Sequence, residues 1–348
     1  MEKVQVTVTG GSGYIASHSI IKLLEKKYSV AATIRNLNRE SSLRKLLHKH
    51  AEFSDENLKF IQADLLSDNN WAEAVHGSKY VLHMASPFLS YLPKDPEQEL
   101  IRPAREGTLR VLKSSLAGGV KRVVLTSSMA AISYGHLPPK NESLLDEDTW
   151  TDINGPDLTP YIVSKTMAEK AAWDFMENEV KETMELVAIN PSAVLGPVLE
   201  KDFSPSAELV KKLMERAMPA LPEMGFQICD VRDVAEAHIS AMTEKAAAGK
   251  RIAVTDRFLW FKEIAEILHN EYADQGYKIP QKTLPHFAVR LFSLLDKETR
   301  SVLNELGVHR KLSNNRLKSL LGIDPVSAKQ SILETAKTLI EQGIIKSR

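Results

Sequence analysis

The sequence predicts a doubly wound α/β fold: a parallel sheet with helices on both faces, joined to a smaller, mostly helical C-terminal lobe. Two observations carry this. Short β-branched runs alternate with amphipathic stretches through the first half, and the first run leads straight into a cluster of glycines. Strands with almost no polar residue belong to parallel sheets buried on both sides.

The strand runs are residues 4–8, 29–34, 58–61, 80–83, 120–126 and 186–189, with helical patterns such as 14–26 and 103–116 between them. After about residue 195 the rhythm changes. Residues 226–229 and 251–254 read as further short strands, and 261–271, 285–295, 298–306 and 328–342 as helices. The organisation expected is one nucleotide-binding domain, 1–194 plus about 226–247, and a lobe of about 195–225 plus 248–348. No internal repeat or long linker interrupts it.

Composition narrows the class. Lys+Arg and Asp+Glu balance at 45 each, so nothing drives general attraction to nucleic acid or an anionic membrane. The single cysteine, Cys229, excludes a disulfide within the chain and fits a reducing compartment. The first residues read as a core strand rather than a signal peptide, and no apolar run is long enough to span a bilayer. The expectation is a cytoplasmic protein with no membrane or nucleic-acid partner.

Thr9-Gly10-Gly11-Ser12-Gly13-Tyr14-Ile15-Ala16 lies between the first strand and the first helix. Gly10 or Gly11 permits a tight turn, Gly13 lets backbone approach a pyrophosphate, and the small Ala16 permits close helix–strand packing. Free N–H groups at the helix start then face the phosphate charge. An ordinary strand-to-helix turn could also use glycines, but this position favours a Rossmann dinucleotide site. The second strand ends in Thr33-Ile34-Arg35-Asn36, with no carboxylate before Glu40. A carboxylate there would suit the ribose hydroxyl of NAD, whereas Arg35 suits the 2′-phosphate of NADP, with Arg39 or Arg44 as a second cation.

Thr126-Ser127-Ser128 closes an apolar strand, and Tyr161-Ile162-Val163-Ser164-Lys165 opens a helix after Thr159-Pro160. Four-residue spacing puts the Tyr161 phenol and the Lys165 ammonium on one helical face. The cation is expected to pull the Tyr161 pKa below its free value of about 10. Tyr161 could then protonate a carbonyl oxygen as hydride arrives, with a serine hydroxyl on the same oxygen.

With these residues in this order, the chain resembles the extended short-chain dehydrogenase/reductases. Within them it is most similar to the branch of dihydroflavonol-4-reductases, cinnamoyl-CoA reductases and ketoreductases. Further marks are Asp64-Leu65, His83-Met84-Ala85-Ser86-Pro87, Asn190-Pro191, Gly196-Pro197 and Asp230-Val231-Arg232-Asp233-Val234-Ala235. The resemblance implies NADPH/NADP+ as cofactor and Ser128, Tyr161 and Lys165 as catalytic residues, Lys165 also holding the nicotinamide ribose. Ser127 is the less favoured serine. The resemblance also implies Asp64 and Leu65 at the adenine, Ala85 and Ser86 along the ribose and pyrophosphate, and Pro191 to Val194 at the nicotinamide, with Ser206 nearby. Gly10, Gly13, Tyr14, Ile15 and Arg35 complete the cofactor set. Ala104 stands where many members carry an asparagine that relays protons, and relatives are commonly homodimers.

The function expected is NADPH-dependent reduction of a small aldehyde or ketone. The alternatives are a sugar-nucleotide epimerase or dehydratase that reuses NAD, and a silent NADP-sensing regulator. Dehydratases place an acidic pair after the strand-five serine or threonine, where this chain has Met129 and Ala130, and a silent sensor has no need of Tyr161 and Lys165. No metal is expected, since His48 and His50 face different sides of a helix. Asp230 and Asp233 read as helix caps. Residues 284–295 read as a core or lobe helix, and Asp146-Glu147-Asp148-Thr149-Trp150 as a solvated loop that the resemblance sets near the substrate mouth.

Overall fold

The structure, a computed structural model, describes residues 3–87, 91, 93–136, 144–180, 183–200, 203–294 and 303–346. The strands in chain order are β1 (Gln5–Thr9), β2 (Ser29–Ile34), β3 (Leu58–Gln62), β4 (Ser78–His83), β5 (Arg122–Thr126), β6 (Leu144–Leu145) and β7 (Glu185–Pro191). They continue as β8 (Ala193–Leu195), β9 (Leu221–Pro222), β10 (Gly225–Asp230), β11 (Arg251–Val254), β12 (Arg257–Trp260), β13 (Thr283–Leu284) and β14 (Lys311–Leu312). The helices of the first half are α1 (Tyr14–Glu25), α2 (Glu40–His48), α3 (Trp71–Val75), α4 (Arg102–Ala117) and α5 (Pro160–Glu179). Those of the second are α6 (Pro205–Met214), α7 (Val231–Thr243), α8 (Phe261–Tyr272), α9 (His286–Phe292), α10 (Asn315–Leu321) and α11 (Ala328–Glu341).

Seven strands form the expected parallel sheet, in the order β11-β7-β5-β4-β1-β2-β3. Alternate residues of each central strand face opposite sides. Leu82, Val124 and Val187 join the core that holds Ile20 and Leu23 of α1 and Val234 of α7. Their neighbours Val81, Val123 and Leu186 join the core of Val111 from α4 and Phe175 from α5. Strand order reverses between β1 and β4, where Thr9 lies opposite His83. The loops leaving these two strands part there and open a crevice, as the reversal of a doubly wound sheet dictates.

A third core belongs to the C-terminal lobe and packs Val210 and Leu213 of α6, Ile264 and Leu268 of α8, and Ile332 and Leu339 of α11. Polar bonds tie this lobe to the sheet. Asp230 caps α7 by accepting from the Arg232 N–H at 2.9 Å, and its other oxygen accepts from Ser331 of α11 at 2.8 Å. Asp233, read as a second cap, instead accepts from the Val326 N–H at 2.8 Å, because that amide opens the turn before α11.

Several segments differ from their sequence reading. Residues 251–254, grouped above with the C-terminal lobe, form the edge strand β11 of the main sheet, paired with β7. β10, grouped with the nucleotide-binding domain, pairs with β8 and β12 in a small sheet of three strands. In α9 only one side is covered: Val289 is buried while Phe287 and Leu291 are 73% and 64% exposed, so of the two readings, core or lobe, the core one fails. The helix read at 298–306 lies partly outside the described residues, and Leu303–Glu305 is a single 3-10 turn. The acidic loop is not simply solvated: Glu147 is buried against the Ala253 N–H at 3.1 Å, and Trp150 lies under the Arg251 guanidinium, 3.7 Å from ring centre. Among the described residues no helix is long and apolar enough to cross a membrane.

Candidate active site

The cleft at the β1/β4 reversal has a volume of about 530 Å3. One wall is the glycine loop. Gly10 has φ +68°, the left-handed region, and a Cβ on it would lie 2.9 Å from the Ala85 Cα. The Gly11 N–H donates to the Thr33 carbonyl at 2.7 Å and the Gly13 N–H to the Gly10 carbonyl at 2.9 Å, which locks the turn. Gly13 then stands in extended conformation directly before α1. The result is a bare backbone cradle at a helix N-terminus, the shape a dinucleotide pyrophosphate needs. Gly10, Gly13, Tyr14 and Ile15 all line the cleft.

The opposite wall comes from β5 and α5. Thr159 caps α5 by accepting from the Ile162 N–H, and Pro160 occupies its first turn. Tyr161 therefore enters the cleft on a rigid helix start, beside Ser128. The two side chains are hydrogen-bonded, and the Ser128 Oγ also accepts from the Ala130 N–H at 3.1 Å. Ser127 turns away from the cleft and donates to Glu169 at 2.5 Å, consistent with Ser128 as the serine that faces substrate. Lys165, one turn along α5, is buried, with its Nζ 3.4 Å from the Thr126 carbonyl.

The electrostatics differ from the expected pattern. Burial pushes the Tyr161 phenol above its ordinary value, with the Ser128 hydrogen bond pulling the other way. The lowering expected from Lys165 does not occur, because the ammonium is drawn to the Thr126 carbonyl and burial of the phenol dominates. Burial pushes Lys165 itself down to about 8, opposed by Glu169. The phenol therefore keeps its proton through neutral pH.

The remaining cofactor candidates spread along the crevice. Val194 and Ser206 line the cleft, and Pro191 ends β7 just below it. Ala85 and Ser86 follow β4, where the Thr9 hydroxyl accepts from the Met84 and Ala85 N–H groups at 3.0 Å each. With both its lone pairs taken, Thr9 must give its proton to the His83 Nδ1 at 2.8 Å. Burial, then the charge of Lys165, push His83 down to about 3. Asp64 follows β3 and caps its own turn through the Leu66 N–H, while Leu65 packs where Gly107 leaves space. These four residues and Arg35 do not line the cleft; they stand at the ends of β2, β3 and β4 along the same edge.

Arg35 is exposed directly after β2, and no described group pairs with its guanidinium. The two downstream arginines that could supply a second cation both have carboxylate partners. Arg44 is held by Glu40 at 3.0 Å and Asp55 at 2.9 Å, and Arg39 by both Glu200 oxygens at 3.0 and 3.1 Å. Among the described residues no three His, Cys, Asp or Glu side chains converge on a metal position. His48 instead pairs with Asp55 at 3.0 Å.

Two residues behind the site escaped the sequence reading. Glu169 and Arg251 form a buried ion pair at 2.6 Å, and Glu169 also accepts from Asn190 at 2.8 Å. The available signal was helical period: Glu169 follows Lys165 by four residues, as Lys165 follows Tyr161. The cleft lining also includes the apolar or aromatic side chains Met84, Met129, Tyr134, Phe203 and Phe226.

Comparison with known proteins agrees with this geometry. The NAD dependent epimerase/dehydratase family is matched over residues 6–254. A cinnamoyl-CoA reductase of Medicago truncatula is 38% identical over 80% of this chain and 83% of its own length. An NADPH-dependent methylglyoxal reductase of Saccharomyces cerevisiae is 30% identical over 97% of this chain and 98% of its own. The crystal structure of yeast methylglyoxal/isovaleraldehyde reductase complexed with NADPH superposes with a TM-score of 0.81 at 28% identity, covering 98% of this chain and 99% of that one. The chain belongs to the NAD dependent epimerase/dehydratase family, the extended short-chain dehydrogenase/reductases, in the branch of the cinnamoyl-CoA and anthocyanidin reductases.

Proposed function

We propose that this chain is an NADPH-dependent reductase that converts the carbonyl of a small aldehyde or ketone to an alcohol. The observation that carries the reading is the Tyr161 phenol, hydrogen-bonded to Ser128 and sharing one cleft with the glycine cradle. The cofactor, when bound, supplies the hydride. Gly10, Gly13, Tyr14 and Ile15 would hold its pyrophosphate, Arg35 its 2′-phosphate, and Asp64 and Leu65 its adenine. Ala85 and Ser86 would run along the ribose and pyrophosphate, Lys165 would hold the nicotinamide ribose, and Pro191, Val194 and Ser206 would border the nicotinamide.

The chain's own part is proton transfer and charge stabilisation. The Ser128 hydroxyl orients the substrate oxygen and stabilises the charge that develops on it as the C=O π bond breaks. Tyr161 gives its proton to that oxygen, so one C–H and one O–H bond form, and solvent restores the phenol. A phenol that keeps its proton through neutral pH suits reduction. The reductase names of the relatives support the same reaction class. A homodimer is the assembly that the resemblance supports, and sedimentation velocity tests it; the single cysteine fits a cytoplasmic setting.

The test is NADPH oxidation across aromatic aldehydes, aliphatic aldehydes, α-dicarbonyls and β-ketoesters, for the native chain and for Tyr161→Phe. At least one class should be reduced, and Tyr161→Phe should lose at least about a hundredfold in turnover while still binding NADPH. Turnover by Tyr161→Phe near the native rate would refute the assignment.

A further inference from the structure

Glu169 has no solvent exposure and accepts five hydrogen bonds: two from Arg251, at 2.6 and 3.3 Å, and one each from Ser127, Asn190 and Trp173. Two of these donors touch the strand end that carries Ser128. Ser127 is its neighbour in the chain, and the Asn190 amide that binds Glu169 also donates to the Ser128 carbonyl at 3.1 Å. Arg251 does not depend on Glu169 alone, since it also donates to the Glu147, Thr149 and Ala131 carbonyls. One carboxylate thus stands between two buried cations, Arg251 on β11 and Lys165 one helical turn back along α5.

Among the described residues, Glu169 is the anion that acts on Lys165. On α5 its titratable neighbours are Tyr161 and Glu169, and His83 at the end of β4 is neutral. The buried residues of α4, which packs against α5, are uncharged: Ala104, Gly107, Thr108, Val111, Leu112 and Ser115. From the strands it meets the Thr126 carbonyl, a neutral acceptor.

We propose that Glu169 is a positioning residue of the reaction, supplying the buried counter-charge of Lys165 and, through Ser127 and Asn190, holding Ser128 against Tyr161. The inference rests on the roles proposed for Tyr161 and Lys165. A carboxylate serving only as a structural partner of Arg251 would affect folding but not the titration of Lys165. A counter-charge must move that titration, because losing a nearby opposite charge makes a buried ammonium easier to deprotonate.

The experiment follows the Lys165 Cε resonance against pH in 13C-lysine-labelled protein, the signal being identified by its loss in Lys165→Met. The native midpoint should lie at about 8, and Glu169→Gln should lower it by about one pH unit. In parallel, kcat for NADPH-driven reduction of the fastest carbonyl from the panel above is measured from pH 6 to 10. The alkaline fall of the native profile should move down with the resonance in Glu169→Gln. A folded Glu169→Gln with a native midpoint would overturn the inference and leave the reading of Lys165 intact. An alkaline fall that persists unchanged in Lys165→Met would overturn that reading, and the inference with it. If Glu169→Gln alone does not fold, Glu169→Gln combined with Arg251→Met leaves no cation stranded in the Arg251 site. Loss of the more distant Arg251 charge offsets part of the shift, so a smaller downward shift is required of it, and a midpoint at or above the native one counts against the inference.

Discussion

Gly10→Ala isolates what the glycine cradle costs and contributes. Gly10 sits at φ +68°, and its added methyl would lie 2.9 Å from the Ala85 Cα and 3.1 Å from the Ala85 nitrogen. The left-handed conformation alone costs a residue with a Cβ roughly 1–2 kcal/mol. The contact is with backbone, so relief requires the segment after β4 to shift. That shift strains the Ala85 N–H bond to Thr9, 3.0 Å long, and a lost hydrogen bond costs about another 1 kcal/mol. The total is about 2–3 kcal/mol. Gly119→Ala is the internal control, because Gly119 has φ +70° with no atom near its missing Cβ and should show the conformational part alone. The assay is urea unfolding followed by circular dichroism for both variants, with calorimetric titration of NADPH. Gly10→Ala should be the less stable by about 1 kcal/mol or more and should bind NADPH more weakly. Equal destabilisation of the two variants, with NADPH affinity unchanged in Gly10→Ala, would refute the reasoning.

Three further outcomes are expected. Arg35→Asp should erase a preference for NADPH over NADH of tenfold or more, since a charge-assisted contact to phosphate is worth about 1.5–3 kcal/mol; equal Michaelis constants for both cofactors in the native chain would contradict it. Ser128→Ala should lower kcat by about a hundredfold while Ser127→Ala costs less, and the reverse order would reassign the serine. Acid should weaken the fold between pH 6.5 and about 4. Burial holds His18 at about 4, His83 at about 3 and His238 at about 4, so in that window the unfolded chain binds more protons and stability falls with pH. Asp233, raised by burial to about 6, acts in the opposite direction, as do Glu147 and Glu305, which burial also raises, while the lowered carboxyls Glu236 and Asp148 add to the fall. The urea midpoint should therefore drop from pH 7 to 4.5, and a flat midpoint would show that these rings are not neutral in the fold.

The sheet was legible because a strand buried on both faces has to be apolar throughout, as residues 81–82 and 123–125 are. The Ser128, Tyr161 and Lys165 constellation was legible because each sits at a strand end or helix start, where periodicity localises it. Burial depth and distant pairing were not. Glu169 and Arg251 are 82 positions apart, and nothing local joins them. The direction of the Tyr161 shift depended on how far α5 sinks into the crevice, which spacing does not encode. Arg44 looked available beside Arg35 because its partner Asp55 lies beyond the end of α2. Apolar content left 284–295 open as a core or a lobe helix, since sequence carries no record of which face a neighbour covers.

The position of β11 has a consequence for how the chain is made. β11 completes the edge of the main sheet, yet it is synthesised after α6, β9, β10 and α7. Until residues 251–254 leave the ribosome, β7 presents an unpaired parallel edge, a template for association with other nascent chains. Sheet closure also requires a contact of long sequence separation, which slows folding. Grafting the lobe of a relative onto this nucleotide-binding half would therefore have to keep residues 251–254 of the host. A fragment ending near residue 200 should be recovered as aggregate, even though it contains every residue of the Ser128, Tyr161 and Lys165 constellation.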